Sequence, residues 1–142
     1  MSRIVKQTTP GTTSIATTST TDEYLIAPQS GRLVSALFTS LAALAAHDTN
    51  FVTFTITNLG QAGAGTAVML AATAANTTKI TGGAALVANA KRALVLTTVA
   101  ADKVVVEGDV LLVRFTAGGT LAGAVTRPMV QIGVKTTGQA RG

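Results

Sequence analysis

His47-Asp48 is the nearest this chain comes to a catalytic pair, since the sequence holds a single histidine. An imidazole beside a carboxylate could act as a general base, but a hydrolase also needs a nucleophile within reach. Ser35 and Ser40 are near in sequence, and neither stands in a Gly-x-Ser-x-Gly elbow. The expectation for His47-Asp48-Thr49-Asn50 is therefore a polar turn, with a small hydrolase using His47 kept as an alternative. Gly60-Gln61-Ala62-Gly63-Ala64-Gly65-Thr66 has the glycine content of a phosphate loop. It lacks the Gly-Lys-Ser/Thr ending that would hold phosphates and open a helix, so it reads as a turn between strands. Glu107 and Asp109 flank Gly108. Two carboxylates fall short of the six or more oxygens a hard cation takes, and in a tight turn they bond backbone amides instead. With no cysteine there is neither a disulfide nor a thiolate zinc site. The expectation is a protein that is not an enzyme and uses no metal or other cofactor.

What could position such residues follows from composition. The 142 residues suit one domain with one core. Hydrophobic residues make up 47% of the chain and charged ones 12%, about half the usual charged share of ~25%. So little charge protects a monomer poorly against association, and much of the surface is expected to be covered by copies of the chain or by a partner. No apolar run approaches the ~20 residues of a membrane-spanning helix.

The formal net charge is +5, and its distribution matters more than its size. No acid precedes Asp22 or follows Asp109, while Arg3, Lys6, Arg114, Arg127, Lys135 and Arg141 lie in or near those outer stretches. Basic ends fit an acidic protein surface or nucleic acid. A single-strand binder would add exposed aromatics, and Phe38, Phe54 and Phe115 fall on apolar faces instead. The contact candidates are Arg3, Ile4, Val5, Lys6, Arg127, Lys135 and Arg141.

Hydrophobic periodicity points to strands. Residues 1–21 are rich in Thr and Ser and read as an extended N-terminal arm, separate from a β-domain at 22–136 and a tail at 137–142. Removing residues 1–20 is then expected to leave the β-domain folded. Tyr24 to Ala27 and Arg32 to Ser40 read as strands around a turn at Gly31, the second with Val34, Ala36 and Phe38 on one face. Phe51 to Asn58 is the clearest strand: Val52, Phe54 and Ile56 alternate with Thr53, Thr55 and Thr57. Gly65 ends the glycine turn before a strand at Thr66 to Ala72. Ala84 to Arg92 reads as a short helix because alanine dominates, and Ala93 to Thr98 as a short strand. Lys103 to Ala117 reads as strand, tight turn at Gly108, strand, with Leu111, Val113 and Phe115 inward. In the last strand Val130, Ile132 and Val134 face the core. About eight short strands without long helices argue for an all-β fold, an antiparallel β-sandwich or jelly roll.

The runs Gly31-Arg-Leu-Val, Asn50-Phe-Val-Thr-Phe-Thr-Ile-Thr-Asn58 and Gly65-Thr66 are similar to the first half of small jelly-roll proteins of tailed bacteriophages. Val106-Glu-Gly-Asp-Val-Leu-Leu-Val113 and Pro128-Met-Val-Gln-Ile-Gly-Val134 resemble their later strands. These are capsid decoration, or cement, proteins. The resemblance spans roughly Tyr24 to Lys135 and implies a structural role. It implies a protein made in the bacterial cytoplasm and bound to the outside of the virion. The partners would be the major capsid protein and further copies of the chain, as a dimer or trimer, with no membrane and no direct nucleic-acid contact. A carbohydrate- or receptor-binding β-sandwich is the alternative from another class.

Overall fold

The strands predicted by period-two alternation assemble into two antiparallel sheets packed face to face. The computed structural model describes residues 3–11 and 14–136. In chain order the strands are β1 (Ile4–Thr8), β2 (Ser14–Ile15), β3 (Thr20–Ile26), β4 (Gly31–Thr39), β5 (Phe51–Gly60) and β6 (Ala67–Leu70). They continue as β7 (Arg92–Ala93), β8 (Val104–Val105), β9 (Val110–Gly118), β10 (Val125–Thr126) and β11 (Met129–Lys135). One sheet has five strands in the order β1-β11-β4-β7, with β8 also paired to β4. The other has four in the order β3-β9-β5-β6, and β10-β2 form a small separate ladder. The protein is thus an all-β antiparallel sandwich.

Its core lies between the inner faces. Phe38 of the five-stranded sheet meets Phe54 and Phe115 of the four-stranded sheet at ring-centroid distances of 4.7 and 5.9 Å. Phe54 and Phe115 meet edge to face at 5.9 Å, the arrangement favoured by the ring quadrupoles. Val52, Ile56, Leu111, Val113, Val130, Ile132 and Val134 are buried around them. Alternation therefore located the inner face of β5, β9 and β11.

Several sequence-based expectations are corrected. Val34 points outward and is 41% exposed. The ladder pairs Ser35 with Gly133 and Leu33 with Val134, so Val34 is the extra residue of a β-bulge. A bulge flips the facing of everything beyond it, which puts Leu33 in the core in place of Val34. The described part of the stretch 1–21, residues 3–11 and 14–21, is not a free arm. β1 pairs with β11 from Ile4↔Lys135 to Thr8↔Gln131, and β2 pairs with β10. Ile15 is completely buried, and Thr9 and Val130 exchange bonds through the Thr9 N–H and hydroxyl. Removing residues 1–20 would therefore open the core. The domain boundary at 21 falls away with the arm, and the expected tail, 137–142, lies outside the described residues.

Ala84 to Arg92 is irregular instead of helical. Leu86 is buried there by a bridge to Leu44, and Asn89 takes a positive φ of 61°. Arg92 holds this region from inside: its guanidinium donates to the carbonyls of Ala75, Thr77 and Ala84 and lies over the Phe54 ring. A single side chain with five donors thus satisfies one carbonyl of this segment and two of the loop before it. The expected strand at 93–98 shrinks to the two residues of β7.

Strand, turn and strand stand where expected between Lys103 and Ala117, but the two strands join different sheets. β8 pairs with β4 in one sheet and β9 with β3 and β5 in the other, so Val106 to Asp109 is a corner between sheets. Gly108 takes φ 93° there, a region open to glycine at little cost. Asp109 is 6% exposed and accepts bonds from the Val106 N–H, the Asn58 amide and the Gln61 amide at 2.9, 3.0 and 2.8 Å. Burial alone would raise its pKa, but these donors outweigh burial and hold it below the ordinary carboxylate value. Gly31 opens β4 where any side chain would run into the carbonyl of Lys135, and Gly65 closes its turn by donating to Leu59.

Candidate partner-binding face

The catalytic alternative meets the geometry first. The His47 Nδ1 accepts the N–H groups of Thr49 and Asn50 at 3.0 and 2.9 Å. Asp48 turns instead to the N–H and hydroxyl of Thr81, and these bonds hold its carboxyl below its ordinary value. The two side chains thus brace separate parts of a turn. The Ser40 hydroxyl donates to the Ala42 carbonyl. Among the described residues no three His, Cys, Asp or Glu groups gather as a metal site.

The contact candidates are partly brought together. β1 and β11 place Ile4 opposite Lys135, and Lys6 opposite Gly133. β11 and β4 then place Lys135 opposite Arg32, and β4 and β8 place Arg32 opposite Val104. Directly paired residues project from the same face, so Ile4, Lys135, Arg32 and Val104 form one row across four strands. Ile4 and Val104 are 53% and 47% exposed, and Arg32, Lys135 and Lys6 are exposed too. The five strands of this sheet contain no Asp or Glu. Arg92 points inward, and among the described residues Lys6, Arg32 and Lys135 make no ion pair.

Lys135 beside Arg32 is unfavourable by itself, because like charges directly across a ladder repel. Hydrophobic Ile4, Val34 and Val104 surround the pair, and the face is not flat. A hollow of about 420 Å³ lies beside Val34 and Leu37 with Lys103 on its rim. A second, about 200 Å³, lies on the other side of Leu37 beside Met129 and Lys91.

The other candidates fall elsewhere. Arg3 joins the same corner through its backbone, which exchanges bonds with Thr136 and accepts the Gln29 amide. Val5 lies opposite Val134, on the inward side, and is half-buried. Arg127 is exposed in the turn before β11, in a left-handed conformation with φ 51°. It stands eight residues from Lys135, about 27 Å along an extended strand. Arg141 lies outside the described residues. Arg32, Val104, Lys91 and Lys103 were not singled out from the sequence. Alternation alone puts Arg32 on the inner face with Val34, Ala36 and Phe38, and only the bulge turns it outward; the others depend on pairing and loop packing.

The arrangement defines a class: an all-β sandwich with one sheet whose strands carry outward cations and apolar side chains and no Asp or Glu. No family model, curated protein or solved structure matches the chain.

Proposed function

We propose that the protein is a structural virion component that binds the outer surface of a phage capsid and cements neighbouring major capsid protein subunits. The outer face of the five-stranded sheet, whose strands carry Lys6, Arg32 and Lys135 outward and no Asp or Glu, carries the reading. Its Lys135 and Arg32, paired across the ladder, repel in the isolated chain, and an acidic surface placed over them relieves this. Ile4, Val34 and Val104 add apolar area that such a contact buries. Many copies on a lattice convert modest contacts into firm attachment. Nucleic acid fits the face less well, because its outward positions hold no aromatic ring for base stacking.

The test adds purified protein to capsids stripped of their accessory proteins and measures bound copies per capsid. Saturable addition that weakens in salt is expected, together with capsids that resist heat better once decorated. The charge-reversed variant Arg32→Glu/Lys135→Glu should bind at least about tenfold more weakly. Absence of saturable binding, or unchanged binding by a folded charge-reversed variant, overturns the proposal.

A further inference from the structure

The outer face of the four-stranded sheet has a different character. Tyr24, Leu112, Thr57 and Val68 are in register across β3, β9, β5 and β6. Ile26 and Val110 form a shorter row beside them. Tyr24, Ile26 and Val68 are 56%, 52% and 40% exposed. The rows on the other side are Asp22–Arg114–Thr55 and Thr20–Thr116–Thr53. Asp22 and Arg114 form a two-pronged ion pair at 2.8 and 3.1 Å, and at the end of the face the Lys79 ammonium lies 4.7 Å over the Phe51 ring with Asp48 close by.

We infer that this face pairs with the same face of a second copy of the chain. A surface that meets its own copy about a two-fold axis must be complementary to itself. The face fits that requirement because the Asp22–Arg114 pair cancels within the copy, Lys79 at the far end has Asp48 close by, and the apolar row can lie against its own image. The opposite sheet cannot serve, since two Lys6, Arg32 and Lys135 clusters would face each other. The area is sufficient: four strands spaced ~4.8 Å apart and roughly 25 Å long present about 500 Å². Two copies thus cover about 1,000 Å², the lower bound for a specific interface. Threonines are short, so two such sheets can approach to the usual ~10 Å of stacked β-faces. The inference does not depend on the capsid reading, because it concerns the purified chain alone.

Sedimentation equilibrium of the full chain tests it. A dimer with a dissociation constant of about micromolar is expected, and it should persist when salt is raised. Tyr24→Arg/Val68→Arg places cations opposite their own images at exposed positions that leave the core intact. It should raise the dissociation constant at least ~30-fold while circular dichroism and melting temperature stay close to the parent. Arg32→Glu/Lys135→Glu should leave the dimer unchanged. A monomer at about 100 µM, far above such a dissociation constant, overturns the inference, as does a trimer. So does a dimer that survives Tyr24→Arg/Val68→Arg or dissolves with the basic-face variant. If the parent is monomeric and Tyr24→Arg/Val68→Arg abolishes capsid addition, the face belongs to a capsid subunit instead.

Discussion

The two sheets share one core and present opposite outer surfaces. The five-stranded sheet has Lys6, Arg32, Arg92 and Lys135 and no acid in its strands; the four-stranded sheet has Asp22, Glu23 and Arg114. In one, two cations, Lys135 and Arg32, stand directly opposite each other across the ladder. In the other, Asp22 and Arg114 neutralise each other and leave threonine and apolar rows. A net charge of +5 for the whole chain conceals this division. Charge read along the sequence puts acids in the middle and bases at the ends, whereas the fold sorts them by sheet.

The comparison can be broken most forcefully at the segment that completes the basic sheet. Deleting residues 1–20 removes β1 and β2 and should unfold the protein at ordinary temperature, read by circular dichroism. Loss of Ile15 alone is worth about 2–5 kcal/mol. A truncated chain with the parent melting temperature would return the segment to the status of an arm.

Next in size is the shared core. Phe38→Ala should cost about 3–5 kcal/mol, and denaturant unfolding should remain a single transition for both sheets. Two separate transitions would mean that the faces rest on independent units.

The corner between sheets comes third. Asp109→Ala leaves the Asn58 and Gln61 amides and the Val106 N–H without their acceptor, and should cost about 2–3 kcal/mol. Gly108→Val should cost about 1–3 kcal/mol through backbone strain. Because the folded-state pKa of Asp109 is depressed, its contribution is present above the unfolded value of about 3.9. It is lost as pH falls through the lower folded value. The parent should therefore lose stability more steeply than Asp109→Asn below about pH 4; identical acid profiles would remove Asp109 from the account.

The smallest effect has the opposite sign and sharpens the contrast most. Arg32→Glu should raise stability slightly, by at most ~1 kcal/mol, because repulsion with Lys135 becomes attraction. The mirror change Arg114→Glu should lower it, since Asp22 then faces a like charge. Melting curves that shift in the same direction for both variants would erase the distinction between the faces.

Much of the sandwich was legible because β5, β9 and β11 keep strict alternation, and period two identifies an inner face without knowledge of the partner strand. Val34 was misplaced because a bulge is a property of a strand pair, and neither strand alone announces it. β1 was unreadable for a related reason. Ile4 to Thr8 is a polar edge strand whose partner begins at Met129, and threonine-rich composition looks the same in an edge strand and in a loose tail. Ala84 to Arg92 has helical composition, but Arg92 and the Leu44–Leu86 bridge outweigh that weak preference. Of the candidate face, Lys6 and Lys135 were legible as basic residues near the ends. Their meeting with Arg32 and Val104 was not, because it requires the register of four strands.

The ladder between β1 and β11 has a consequence for how the protein is made. Arg3 and Thr136 are bonded across 133 positions of sequence. While a ribosome is still producing the chain, β1 has no neighbour, and Lys135 has not yet been added beside Arg32. Contacts between such distant segments also form slowly, because a long loop must close first. The basic row therefore exists only on a finished sheet. A nascent or half-folded copy cannot present it, so under the capsid proposal binding would wait until folding is complete.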